Sequence, residues 1–119
     1  MSEIIGIGRV KFNPGGYEEY KRLVERELEL VRRTEPDTLA LDVYVSADET
    51  QAVYVERYTD SEALMFHFKN VSEFMQPVLA TGTFDGVILG DASDELKAAI
   101  GEGGPVQLFR RVMSLHADV

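Results

Sequence analysis

No cysteine occurs in the chain, which excludes disulfides, thiolate metal sites and a cysteine nucleophile. Tryptophan is absent as well. Basic side chains are scarce: 12 lysines and arginines stand against 21 aspartates and glutamates, a formal charge of −9. Such a field repels phosphate backbones, and no basic stripe or aromatic–basic interleaving offsets it, so nucleic acid is not an expected partner. An anionic membrane surface is disfavoured for the same reason. Long apolar runs are missing too. Ile4–Ile7 is short and is followed by Arg9 and Lys11, which makes it a strand rather than a signal peptide or a span. The expected location is the cytoplasm, and no membrane contact is expected.

What is present is an ordinary globular balance, 45% hydrophobic and 28% charged, which argues against long disorder. The 119 residues fit one domain, 1–119, around one core. A chain this short buries a modest share of its surface, so oligomerisation is a natural source of stability.

Residues 4–13 (IIGIGRVKFN) mix β-branched and polar residues and stop at Asn13-Pro14-Gly15-Gly16, a turn cluster. From Tyr17 to Arg33 the period becomes helical, with Tyr17, Tyr20, Val24, Leu28 and Val31 on one stripe. Pro36 ends that helix. Leu39–Ser46 and Gln51–Tyr58 alternate as two strands of a hairpin, with tyrosines on the less apolar face. That face is expected to be covered, by helices or by a partner. Thr59-Asp60-Ser61-Glu62 has the form of a helix start, either as a Thr59–Glu62 capping box or with Asp60 as N-cap. The helix runs to about Ala80, with a break near Asn70. Phe84–Gly90 reads as a fourth strand, Ser93–Ile100 as a short helix, Gly101–Pro105 as a joint and Val106–Leu115 as a last strand. The expected fold is therefore α+β: a ferredoxin-like βαββαβ unit with an extra C-terminal helix and strand.

Gly6-Ile7-Gly8 is not a dinucleotide fingerprint, because Lys11 takes the next glycine position and the segment lies within a strand. These glycines are expected to admit the close approach of a helix or a ligand. The only histidines, His67 and His116, are far apart and lack partners at metal-ligand spacing, so no metal site is expected. No serine sits in a nucleophile elbow. The abundant carboxylates fall mostly on the polar face of the first helix, where solvation explains them.

His67 lies on the apolar stripe of the second helix between Phe66 and Phe68, so its ring is expected to face the sheet. A histidine in an apolar cleft tends to be neutral near pH 7 and can act as a general base. The alternative is a core histidine bonded to a strand hydroxyl or carbonyl. Tyr44, Tyr54 and Tyr58 could bring hydroxyls to the same cavity, although each alone is more often packing.

The stretch Thr38–Leu79 (TLALDVYVSADETQAVYVERYTDSEALMFHFKNVSEFMQPVL) resembles the antibiotic biosynthesis monooxygenase family. The resemblance rests on the hairpin, the segment Glu56-Arg57-Tyr58-Thr59-Asp60-Ser61-Glu62-Ala63-Leu64, and a histidine three residues on. Gly90–Leu96 also looks like the family's short C-terminal helix. The resemblance implies a homodimer with a shared α/β barrel and a pocket in each subunit. It further implies oxygenation of a small aromatic, quinol or polyketide-like substrate with no cofactor, the substrate itself reducing oxygen. Carried onto this chain, His67 is the catalytic base or substrate partner, Tyr58 and Arg57 are substrate-binding candidates, and Phe74 and Met75 line the pocket. Independently of the resemblance, the Tyr44 hydroxyl makes that residue a further substrate-binding candidate. The haem-degrading branch pairs a strand asparagine with a tryptophan and a haem-ligating histidine. Those positions hold Gly8, His67 and Val78 here, so the iron ligand is missing. The tryptophan and asparagine of the polyketide branch are also missing. Two other functions remain open: a non-catalytic dimeric module for a small apolar ligand, and an isomerase or cyclase of the same barrel superfamily.

Overall fold

The computed structural model describes residues 3–116. Strand β1 (Ile4–Phe12) leads through a tight turn into helix α1 (Gly16–Thr34). Gly15 sits at φ 77°, a left-handed conformation that glycine adopts without steric cost. After α1, Glu35 precedes Pro36 and leaves the helical region (φ −124°, ψ 81°), which the proline ring disfavours. Strands β2 (Thr38–Val45) and β3 (Gln51–Tyr58) form the expected antiparallel hairpin. Helix α2 (Ser61–Asn70) begins at Asp60, whose carboxylate accepts the Ala63 amide at 2.9 Å. Of the two helix starts the sequence allowed, this N-cap is the one used. Helix α3 (Ser72–Leu79) follows across a break at Val71, then β4 (Gly82–Leu89), α4 (Asp94–Ile100) and β5 (Val106–Phe109).

The sheet order is β2-β3-β1-β4-β5. Strand β1 is antiparallel to both neighbours, and β5 is added in parallel beside β4. This is the ferredoxin-like arrangement with an extra helix and edge strand. The last strand is shorter than the expected Val106–Leu115. Its ladder pairs Val106–Phe109 with Gly86–Leu89, and β4 ends there, so 110–116 have no strand to pair with and stay exposed.

Alternation along β1 assigns the two sheet faces. Ile4, Gly6, Gly8 and Val10 are buried, whereas Ile7, Arg9 and Lys11 are exposed. The helices cover the first set. Beneath them Ile4, Tyr58, Leu64, Ile88 and Leu96 pack at one end of the sheet, and Val10, Tyr20 and Ala52 at the other. Leu23, Val31, Val71 and Phe74 join α1 to the α2–α3 pair. In β3 the helix-covered face carries Tyr54, Glu56 and Tyr58, which pair with Gly8, Gly6 and Ile4 of β1. In β3 the less apolar face is thus the inner one and brings polar groups under the helices, whereas β2 turns its apolar residues Leu41 and Val43 inward, opposite Glu56 and Tyr54, and leaves Tyr44 outside.

Candidate active site

Between the helix layer and this face lies a cavity of about 140 Å3, lined among others by Tyr20, Glu27, Leu41, Val43, Tyr54 and Glu56. Helices α2 and α3 supply His67, Phe68, Met75 and Leu79. Gly8 shapes its floor: a Cβ there would overlap the Tyr54 ring, so the glycine lets that ring lie flat across β1. The close approach comes from a neighbouring strand's tyrosine rather than from a helix.

His67 is 4% exposed and anchored from behind. Its Nδ1 lies 2.9 Å and 3.1 Å from the two carboxylate oxygens of Glu35. Glu35 also accepts from Thr38 Oγ1 and from Asn70 Nδ2, both at 2.7 Å. Burial would raise the Glu35 pKa, but the hydrogen bonds from Asn70, Thr38 and His67 outweigh it and hold the carboxyl below its ordinary value. An ionised carboxylate only accepts, so Nδ1 carries the hydrogen and Nε2 is left facing the cavity. His67 is thus a buried histidine, as the structural alternative expected, but its partner is a carboxylate rather than a strand hydroxyl or carbonyl.

On the cavity side, Glu27 Oε2 stands 3.7 Å from His67 Nε2. Burial raises the Glu27 carboxyl to about 7, with Glu56 and Glu35 adding to the effect and His67 opposing it. Burial also raises Glu56, against the hydrogen bond that the Tyr58 hydroxyl donates to Oε1. Tyr54 is pushed up to about 12, mainly by burial and then by the nearby carboxylates. The Tyr20 and Tyr58 hydroxyls are raised for the same reasons. One base with a fixed tautomer therefore shares an apolar cavity with two carboxyls that resist ionisation. The carboxyls are pushed apart, Glu35 downward and Glu27 and Glu56 upward, and such separation suits different roles for groups in one cavity. Among the described residues no group of three or more histidine, aspartate or glutamate side chains is arranged to hold a metal ion.

The residues singled out in the sequence are distributed unevenly around this cavity. His67 and Met75 line it. Tyr58 is fully buried, packs its ring 5.5 Å from the His67 ring and touches the site through Glu56. Phe74 packs behind, against Leu23, Val31 and Val71. Arg57 lies on the opposite sheet face, where it pairs with Glu3 at 2.6 Å. Tyr44 is 61% exposed and stands on that face too, opposite Val53. Sequence reasoning passed over Glu27, Glu35 and Glu56. Glu27 had a visible signal: it falls four residues after Leu23 and four before Val31, on the buried stripe itself.

The sequence pattern of the antibiotic biosynthesis monooxygenase family matches residues 4–74, and the chain belongs to that family. Among solved structures, MupZ from Pseudomonas fluorescens superposes with a TM-score of 0.81 at 18% identity, over 95% of this chain and 88% of that one. Rv0793 from Mycobacterium tuberculosis gives 0.66 at 22% identity, over 77% and 97%. SnoaB from Streptomyces nogalater, described as a cofactor-independent oxygenase, gives 0.65 at 15% identity, over 76% and 94%. At these identities the likeness shows the shared fold. No curated protein matches the chain.

Proposed function

We propose that this protein is a cofactor-independent monooxygenase that oxidises a small aromatic, a quinol or a polyketide-like ring system, with molecular oxygen, and that it works as a homodimer. One observation carries the reading: His67 turns Nε2 into an apolar cavity while Glu35 fixes the ring from behind. A nitrogen so placed removes a proton from a phenol or from a methylene activated by flanking rings. The resulting anion is itself the reductant of oxygen. The protein's work is then to position the ring, exclude water and stabilise the anion.

Tyr54 and the carboxyls of Glu27 and Glu56 suit that last task. A carboxyl raised to about 7, as Glu27 is, can hold a proton and donate it to an oxyanion instead of repelling it, and burial moves Glu56 in the same direction. The volume of about 140 Å3 is close to the ~150 Å3 that holds a benzene ring. The reacting ring fits inside, and the rest of a larger substrate would lie at the mouth, where Val43, Met75 and Leu79 are exposed. Family membership supports the reaction class, as does the description of SnoaB.

Homodimer formation is supported by the uncovered sheet face. There Val55, Ile7 and Val87 line up across three strands, with Ile5 and Leu89 beside them. An apolar row of this kind is a candidate interface. Light scattering at micromolar concentration should give twice the chain mass, and a monomer would count against the dimer.

The deciding assay is oxygen uptake on naphthohydroquinones and anthrones, using chelator-treated protein beside His67→Ala. Uptake should exceed autoxidation and fail in the variant while its circular dichroism is retained. Full turnover by the variant would remove His67 from the reaction, and no uptake with any substrate would sink the oxygenase. A second reading, an isomerase or cyclase, draws on Glu27 and His67 as an acid and a base in one cavity, since proton transfer alone needs nothing more. Isotope-labelled oxygen separates the two, because only the oxygenase incorporates label.

A further inference from the structure

We infer that Glu27 is a second catalytic residue of this cavity, the acid that protonates the departing oxygen when the oxygen–oxygen bond breaks. The inference rests on the monooxygenase reading above and adds a step to it.

The three glutamates around His67, one buried and two half-buried, are not equivalent. Glu35 is saturated by donors from Thr38, Asn70 and His67, so it has no role beyond holding the ring. Glu56 accepts the Tyr58 hydroxyl. Glu27 makes no such bond among the described residues: it lines the cavity and faces Nε2 at 3.7 Å, close enough to exchange a proton after a small movement. Its side chain is 15% exposed. The groups that face it are His67 from α2, Tyr54 and Glu56 from β3, Tyr20 on its own helix and Glu35 just beyond it. Burial among them places its proton affinity near neutrality, where an acid can both give a proton and regain it.

Oxidation of an activated methylene to a ketone can use both groups. His67 Nε2 takes one proton from the methylene. The carbanion adds to molecular oxygen, forming a carbon–oxygen bond, and the peroxide anion takes the proton back from His67 to give a hydroperoxide. His67 then removes the remaining hydrogen from the same carbon. The electron pair forms the carbonyl, the oxygen–oxygen bond breaks, and the departing hydroxide takes the Glu27 proton and leaves as water. The proton on His67 passes to the Glu27 carboxylate and restores the site. Methylene and oxygen have become ketone and water: the carbon loses four electrons and oxygen gains them. Without the Glu27 proton the elimination would release hydroxide into an apolar cavity, which slows this step.

The test follows an anthrone under air with wild type, Glu27→Gln and His67→Ala, quenching samples into a phosphine that reduces any hydroperoxide to the alcohol. Wild type should give the ketone. Glu27→Gln should still consume oxygen but yield the alcohol after quenching, with the hydroperoxide-to-ketone step slowed by about 10²–10⁴-fold. Glu27→Asp, which keeps the acid, should recover part of the ketone. His67→Ala should consume oxygen no faster than autoxidation. Ketone formation at the wild-type rate by Glu27→Gln would overturn the assignment, as would loss of oxygen uptake in that variant. A wild type that consumes no oxygen would instead overturn the underlying reaction.

Discussion

Replacing Glu27 by glutamine should stabilise the protein, increasingly so as pH rises from 4.5 to about 7 and above. Burial moves the carboxyl from 4.5 to about 7 on folding. The native state therefore binds this proton more tightly than the unfolded chain does. Stability from this group is fully present below 4.5, and it is lost as pH rises through about 7. Each tenfold step in proton affinity is worth about 1.4 kcal/mol, so the loss is about 3 kcal/mol. That is a large share of the roughly 5–15 kcal/mol that holds a domain together. Glutamine keeps the shape and does not ionise, so it avoids the loss. Urea denaturation of both proteins at about pH 5 and about pH 8, at matched ionic strength, reads the effect directly. The difference in unfolding free energy between variant and wild type should widen in favour of the variant by about 2–3 kcal/mol between those conditions. Other titrating groups are common to both chains and largely cancel. A difference that does not change with pH, or that widens in favour of wild type, would refute the claim that Glu27 is buried with its proton.

Glu35 should behave with the opposite sign. Its carboxyl is held below 4.5, so the stability it contributes is present above that value and is lost as pH falls through the lower native value. Glu35→Gln should be destabilised near neutrality and approach wild type in acid, as followed by denaturation across the acid range. Gly8→Ala should push the Tyr54 ring off β1 and cost about 1–3 kcal/mol of overpacking, seen as a lower melting temperature and weaker binding of an aromatic ligand. Asp60→Ala should cost about 1 kcal/mol by removing the N-cap of the helix that carries His67, again read by thermal melting. Arg57→Ala should leave ligand affinity in the cavity unchanged, because Arg57 pairs with Glu3 on the opposite face; a large loss by calorimetry would place it in the site.

Local rules fixed most of the architecture. The period of two in β1, β2 and β3, the helical stripe of α1, the turn at Asn13–Gly16 and the cap at Asp60 each depend on neighbours a few residues apart, so they can be read along the chain. The same rules place His67 on an inward stripe. Tertiary structure decided what surrounds it. Glu35 reaches His67 across 32 residues, and it does so because Pro36 turns the chain at the end of α1 beside α2. Glu27 looks like one more charge on an acidic helix until packing shows that its position in the stripe faces a cavity. Glu56 reads as the polar phase of a strand, yet helices cover that phase and leave room there because Gly6 and Gly8 add no side chains. The length of β5 likewise depended on where β4 stopped offering hydrogen bonds. Periodicity reveals which way a side chain points. Whether a carboxyl pointing inward meets water, a donor or another carboxyl depends on residues distant in sequence, and that is what sets its proton affinity.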